Sequence, residues 1–152
     1  MASVHDVAVY ILQRQGRMSA MKLQKLVYYC QAWHLVWEER PLFKERIEAW
    51  ANGPVVRDLY REHRRKFEVT VRTFADGLPE RLTQTEIETI DTVLESYGKL
   101  KAFELSDMTH RETPWRQARG SLPSGAPCSN VITEAAMAEY YESCLLYTSR
   151  CV

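Results

Sequence analysis

The amino-acid sequence predicts a mainly α-helical (α+β) fold, in which a single compact helical domain surrounds a central buried helix and carries a small two- or three-stranded sheet. From Met21 to Trp37, apolar residues recur at helical spacing and cover most of the helix circumference, which is typical of a helix buried on several sides. Short segments of alternating polarity between glycines and prolines predict the strands. A chain of 152 residues, 45% of them hydrophobic, is long enough for one domain with its own core.

Two helices are predicted in the N-terminal part. The first is amphipathic, runs from about Val4 to Gln15 and ends at Gly16. Ser19 is expected to cap the central helix and Pro41 to stop it, because proline lacks the backbone N–H that a helix requires. We expect the central helix to keep one solvent-exposed edge, formed by its polar residues Lys22, Gln24, Lys25 and Gln31.

A strand and a third helix are predicted to follow. Ile47 to Trp50 alternate weakly in polarity, as a short strand would. Asn52-Gly53-Pro54 indicates a turn, and Pro54 suits the first position of a helix, where its missing N–H has no consequence. The buried side of that helix is predicted to consist of Val55, Val56, Leu59, Tyr60 and His63.

The second half of the chain contains the remaining predicted elements. The alternation from Phe67 to Val71 predicts a strand, and Val131-Ile132 would add a short third one. Residues 120–127 are predicted to form a loop from their glycine, serine and proline content. Helices are expected to begin at the capping box Thr83–Glu86, at Ser106, at Thr113-Pro114 and at Thr133.

The last nine residues, CLLYTSRCV, lack the helical periodicity of the segment before them. We therefore divide the chain into a domain at residues 1–143 and a tail at residues 144–152. The tail resembles translated vector or adapter sequence, and an authentic C-terminal extension is the alternative.

Charge and composition narrow the class of function. Lysine plus arginine and aspartate plus glutamate both number 20, and this balance argues against a nonspecific nucleic-acid binder. A basic run between Arg57 and Lys66 is most simply a solvated helix end. The absence of a signal peptide and of a membrane-length apolar run predicts a cytoplasmic protein without membrane contact.

The sequence offers no catalytic, cofactor or metal site. It contains no phosphate-binding loop, no dinucleotide-binding glycine pattern and no paired metal ligands at helical spacing. Its four cysteines lack C-x-x-C spacing, so we expect free thiols. We therefore predict a protein that is not an enzyme and that needs no cofactor.

Two segments carry a family resemblance. The strings KLQKLVYYCQAWHLV, PLF and IEAWANGPVVRDLY resemble the Panacea (SocA-like) antitoxin domain, also described as phage-associated GepA-like proteins. Further on, His110 with Pro114-Trp115 resembles the H-x-x-x-P-W element of that family. The resemblance spans roughly Val4 to Tyr141.

This resemblance implies an antitoxin that neutralises a cognate toxin protein by direct protein–protein binding. Some similar proteins act as adaptors that deliver the toxin to an ATP-dependent protease. The alternative is a DNA-binding transcriptional autorepressor of its own operon, since several family members carry an added helix-turn-helix domain. The chain has no length left for such a domain, so DNA is an unlikely partner. An enzyme acting on a small molecule ranks third.

The candidate partner-binding residues cluster around the Asn-Gly-Pro turn and the later family element. Large amphipathic side chains near element ends can anchor a partner, and residues three apart on a helix, such as Arg57 and Tyr60, share a face. Core packing remains the alternative for the aromatic ones. The candidates are Trp50, Asn52, Gly53, Pro54, Arg57, Tyr60, His110 and Trp115.

Overall fold

The computed structural model describes the backbone of residues 1–151 and the side chains of residues 1–144. It confirms the mainly α-helical fold with a small sheet. The helices in this part of the chain are α1 Val4–Gln15, α2 Ala20–Glu38, α3 Arg57–His63, α4 Gln84–Tyr97, α5 Ala102–Arg111, α6 Thr113–Arg119 and α7 Glu134–Cys151. The strands are β1 Met18–Ser19, β2 Ile47–Trp50, β3 Gly53–Val56, β4 Glu68–Val69 and β5 Val131–Ile132.

The predicted central helix is α2, which packs against α1, α4, α5, α7 and β3. The apolar side chains of Leu23, Leu26 and Val27 are fully buried. Ser19 caps it as predicted, because its Oγ accepts a hydrogen bond from the backbone N–H of Lys22 at 3.1 Å. The helix ends before proline is reached, at Glu39 in the left-handed conformation (φ 57°).

The predicted solvent-exposed edge of α2 was wrong. Gln24, Lys25 and Gln31 are only 2%, 1% and 1% exposed. The two glutamines lie on one helix face and bind the backbone of segments that cross α2. Gln24 accepts from the N–H of Val56 at 2.9 Å and donates to its carbonyl at 3.2 Å. Gln31 donates to the Phe43 carbonyl at 2.8 Å. Each glutamine amide thus supplies the hydrogen-bond donor and acceptor that a neighbouring strand would otherwise supply to the backbone of the crossing segment.

Strands β2, β3 and β5 form an antiparallel sheet in the order β3-β2-β5, which confirms the strands predicted at Ile47–Trp50 and Val131-Ile132. The helix start predicted at Pro54 was wrong. Residues 53–56 continue as β3, with Pro54 opposite Ala49, and α3 begins at Arg57. Pro54 is tolerated because β3 is an edge strand, where a missing N–H breaks no ladder.

Two further expectations fail in part. Of the strand predicted from Phe67 to Val71, only Glu68–Val69 pairs, with Met18–Ser19 in a separate two-stranded sheet. Phe67 is 82% exposed, and a 3₁₀ turn begins at Val71. The predicted cap at Ser106 is also wrong, since α5 begins at Ala102 and Ser106 lies within it. Helix α5 begins early because Glu104 reaches back to the backbone N–H of Lys101 at 2.8 Å.

A tyrosine cluster joins α2 to α7. The hydroxyls of Tyr29 and Tyr141 both donate to one carboxylate oxygen of Glu112, at 2.8 and 2.6 Å. The Tyr28 and Tyr141 hydroxyls are 3.0 Å apart. Burial raises the pKa of Glu112, and the two tyrosine hydrogen bonds oppose that rise.

Helix α7 begins after Thr133, whose Oγ1 accepts from the N–H of Ala136 at 3.1 Å. It continues to Cys151, so its helical backbone includes most of the segment that the sequence pattern sets apart. The division at residue 143 stays a prediction. Cys30 and Cys128 are free thiols as expected, and Cys151 lies outside the described side chains. No helix in the described part of the chain is long and apolar enough to cross a membrane.

Candidate functional site

The predicted partner-binding residues meet at the turn between β2 and β3. Trp50 and Gly53 are the last paired residues of the two strands, with Ala51 and Asn52 between them. Helix α5 holds this turn, because the Ser106 hydroxyl donates to the Asn52 carbonyl at 2.6 Å. Helix α6 holds it too, because Trp115 Nε1 donates to the Trp50 carbonyl at 2.8 Å. The structure therefore brings the Asn-Gly-Pro turn and the later His-Pro-Trp element together.

Trp50 lies at the centre of a polar and aromatic cluster. Its Nε1 donates to Glu48 Oε1 at 2.8 Å, and the guanidinium of Arg57 binds the same oxygen at 3.0 Å. The Arg57 guanidinium carbon is 5.7 Å from the centroid of the Trp50 ring, within the range of a cation–π contact. Tyr60 meets the Trp50 ring edge-on at 4.9 Å. These contacts fix the orientation of the Trp50 indole.

The residues around Trp115 are more buried. The imidazole of His110 stacks on the Trp115 ring at 4.1 Å, and the guanidinium of Arg119 lies 4.9 Å from that ring. Arg119 is 4% exposed and donates to the carbonyls of Ala49 and Ala126 at 3.0 and 2.7 Å. It thereby joins the loop at residues 120–127 to β2.

The eight candidates differ in their access to a partner. Asn52 and Arg57 are exposed, and Trp50, Tyr60 and His110 are half-buried. The other three, Gly53, Pro54 and Trp115, are buried and can only shape the surface from beneath. We call Trp50, Asn52, Arg57 and Tyr60 the Trp50 surface.

Lys25 is the site residue that sequence reasoning missed. Its side chain passes over Gly53, where a Cβ atom would lie 2.5 Å from Lys25 Cε, so only glycine leaves room for it. The φ of +123° at Gly53 also favours glycine. Burial lowers the pKa of Lys25 to about 8. The sequence contained one indication that Lys25 is buried. It lies in a helix that is apolar around nearly its whole circumference, and such a helix keeps no solvent-exposed edge when it is packed on every side.

The charge of Lys25 affects the pKa values of two neighbouring histidines, His63 and His110. Burial is the main cause that lowers the pKa of both His63 and His110, and the charge of Lys25 lowers both further. Gln24 Nε2 lies 2.9 Å from His63 Nε2. Because the Gln24 oxygen is engaged by a backbone N–H, its amide nitrogen is the donor, and His63 Nε2 must be the acceptor. His63 is therefore neutral, with its proton on Nδ1.

A cavity of about 300 Å³ lies beside Lys25, and we call it the lysine cavity. Its walls are mostly apolar, and two exposed residues, Met21 and Asn52, lie at its edge, so it communicates with solvent. A second, larger hollow of about 490 Å³ lies on the other side of Trp50, against the loop at residues 125–129. The lining of the lysine cavity includes Gln24, Lys25, Trp50, Asn52, Tyr60 and His63.

Metal binding and nucleophilic attack by a thiol are two other kinds of chemistry that the described side chains could support. Among the described side chains, no group of three or more histidines, cysteines, aspartates or glutamates could hold a metal ion. The Cys30 thiol is fully buried, and burial raises its pKa, which disfavours the thiolate that a nucleophile needs.

Comparison with protein families identifies a family whose members resemble this chain. Residues 23–116 match the family described as "Antitoxin SocA-like, Panacea domain". The matched range contains Lys25, the β2–β3 turn and all eight candidate residues. Comparisons with curated proteins and with solved structures each gave no match.

Proposed function

Because the chain belongs to the SocA-like Panacea antitoxin family, we propose that it is an antitoxin that neutralises a cognate toxin protein by binding it directly in the cytoplasm. The family match over residues 23–116 is the observation that carries this proposal. The site supports it, because tryptophan, tyrosine and arginine dominate the energetically important positions of protein interfaces. All three residue types occur side by side on the Trp50 surface.

The Trp50 surface is suited to an interface because it is preorganised. Glu48 holds the Trp50 indole and the Arg57 guanidinium through one oxygen, so little side-chain freedom is lost on binding. Asn52 stands exposed on the turn between the strands. We propose this surface as the toxin-binding face.

Delivery of the toxin to an ATP-dependent protease is a further part of the proposal, and it rests on the family resemblance. It predicts that the toxin disappears faster when antitoxin and protease are both present. The half-life of the toxin in cells with and without the antitoxin measures this. An unchanged half-life with full neutralisation would leave direct binding as the whole function.

The alternative of a DNA-binding autorepressor is weaker. Arg61, Arg64, Arg65 and Lys66 are exposed around the end of α3. Acidic side chains interrupt this patch, since Arg61 lies 3.6 Å from Asp58. Nucleic-acid binding requires an excess of cations along one face, which this mixture does not provide.

Co-expression tests the binding proposal. The toxin encoded by the neighbouring reading frame is produced with the wild-type chain or with Asn52→Arg or Tyr60→Ala. Both substitutions are expected to abolish rescue of growth while the melting temperature stays within a few degrees of wild type. Phe67→Ala is the matched control, because Phe67 is 82% exposed and lies outside the surface.

Two results would contradict the proposal. If the wild-type chain does not rescue growth and does not bind the toxin in a pull-down, direct neutralisation is wrong. If rescue fails only in variants that are also unfolded, the Trp50 surface is core and the interface lies elsewhere.

A further inference from the structure

The ammonium group of Lys25 lacks a protein counterion. Lys25 is 1% exposed as a residue, and no hydrogen bond or ion pair to its ammonium occurs among the described residues. The charge of Lys25 lowers the pKa values of His63 and His110, and neither histidine carries a negative charge in any state. A buried ammonium without a partner is unfavourable, and proteins ordinarily place a carboxylate or another acceptor against it.

The lysine cavity gives an anion access to this ammonium. Lys25 is part of the cavity wall, and it is the one cation in that wall because His63 is neutral. No carboxylate of the described residues lines the cavity. An incoming anion therefore meets a single positive charge without competing negative charge.

The other residues of the cavity wall determine which kind of molecule can bring the anion to Lys25. Met21, Val55 and the rings of Trp50 and Tyr60 make them mostly apolar. At about 300 Å³ the cavity is at the small end of ligand sites, which is enough for about one amino-acid residue. A bare inorganic anion would leave these walls unfilled, and an acidic side chain would bring little apolar surface. A carboxylate attached directly to an apolar residue would pair with the Lys25 ammonium and would also fill the apolar part of the cavity.

We propose that the lysine cavity binds the C-terminal residue of the partner chain, with the terminal carboxylate on Lys25 and an apolar side chain against the Trp50 and Tyr60 rings. This inference rests on the proposed antitoxin function, because it assigns a role to one end of the toxin. The shared chemistry, a carboxylate on an apolar body, could also come from a free small acid. The experiment separates the two sources.

The probe is the peptide acetyl-Ala-Ala-Leu as the free acid, compared with the same peptide as the C-terminal amide and with N-acetyl-leucine. Binding to the full chain is measured by calorimetry and by the change in intrinsic tryptophan fluorescence, to which Trp50 in the cavity wall contributes. The free-acid peptide is expected to bind, and the amide to bind roughly ten- to a hundredfold more weakly, the usual strength of a hydrogen bond to a charged group. The Lys25→Met variant should bind the free-acid peptide more weakly than wild type by the same factor. The Lys66→Met variant, which changes an exposed lysine, should bind it like wild type.

Three outcomes would overturn the assignment. Equal binding of acid and amide, or unchanged binding by Lys25→Met, would show that Lys25 is not the anion receptor. N-acetyl-leucine binding as tightly as the peptide would make the cavity a small-acid site. Absence of binding by any of the three probes would exclude the cavity as a receptor.

The toxin itself separates this inference from the proposed function. Adding Gly-Ser-Gly to the toxin C terminus moves its carboxylate, and neutralisation is expected to weaken by a similar factor. If the extended toxin is neutralised as well as the unmodified one, the chain-end assignment fails and the antitoxin function stands. If the free-acid peptide binds but the toxin is not neutralised, the antitoxin function fails and the cavity stands.

Discussion

Replacing Lys25 with methionine is expected to stabilise the protein at neutral pH. Burial lowers the Lys25 pKa from 10.5 to about 8. The difference, 10.5 − 8 = 2.5 pKa units, corresponds at ~1.36 kcal/mol per unit to about 3 kcal/mol. That is the free energy by which the charge destabilises the folded state at neutral pH. Methionine keeps an unbranched apolar side chain in the same space without the charge.

The lowered pKa of Lys25 also predicts the direction in which the free energy of unfolding changes with pH. Because the folded pKa lies below the unfolded value, the unfolded chain binds more protons between about pH 8 and 10.5, and the free energy of unfolding rises with pH there. Below pH 8 both states carry the proton, and the full penalty applies. Above pH 10.5 both states are neutral, and the penalty is absent. His63 and His110, which face Lys25 from α3 and α5, have lowered pKa values and stay neutral across this window.

Urea unfolding of wild type, Lys25→Met and the exposed control Lys66→Met between pH 7 and 10.5 measures the effect. Lys25→Met should be more stable than wild type by about 3 kcal/mol at pH 7, or ~6–12 °C in Tm for a domain of this size. The difference should shrink to near zero at pH 10.5, and Lys66→Met should follow wild type throughout. A variant that is no more stable at pH 7, or a difference that does not change with pH, would refute the reasoning. The ammonium would then be hydrated or paired.

Two further substitutions test the polar interior. Gln31→Leu should cost about 2–5 kcal/mol in urea unfolding, because backbone groups of the segment crossing α2 lose their partners at about 1–3 kcal/mol each. The exposed control Gln117→Leu should be neutral, and an equal, small loss in both would contradict this. Glu112→Gln should gain stability relative to wild type as the pH rises through the raised pKa of Glu112, since the folded state disfavours the ionised carboxyl. A stability difference between the two proteins that is the same at pH 4 and pH 8 would rule this out.

The helix ends that could be predicted from the sequence are those fixed by local chemistry. Ser19 caps α2, and Thr83 with Glu86 forms the capping box that opens α4. In each case both hydrogen-bonding partners lie within four residues, so a short window contains the whole interaction. The capping box of Ser3 and Asp6 at α1 is equally local, although the serine was not singled out from the sequence.

The errors within α2 arise where the partner lies far along the chain. Gln24 is polar, and a local pattern places it in water, but its partners are backbone groups of Val56. Lys25 is buried because Gly53 leaves room for it. Pro54 suits a helix start by itself, but the pairing of β3 with β2 overrides that preference. A window of ten residues contains neither Gln24 with Val56 nor Lys25 with Gly53. It does contain the whole β2–β3 pairing, so the error at Pro54 was a missed hairpin.

Four of the mispredicted residues lie at one place in the molecule. Gln24, Lys25, Pro54 and Ser106 are at or beside the β2–β3 turn, where contacts with neighbouring elements override the preferences of the single residues. Sequences break local rules most often at functional sites, because function requires arrangements that folding alone does not favour. The position of these four residues beside the Trp50 surface agrees with the proposed binding face.

The unpaired ammonium also couples binding to stability. An anion that binds only the folded protein stabilises it, and it raises the pKa of Lys25 toward its ordinary value as it does so. The destabilisation of about 3 kcal/mol calculated for Lys25 in the free protein is therefore also the approximate upper limit of what a counterion can recover from this cause. The neighbouring elements packed against α2 hold the Lys25 side chain at the wall of the lysine cavity. A rigidly held charge of this kind favours a partner that brings the missing carboxylate over one that does not.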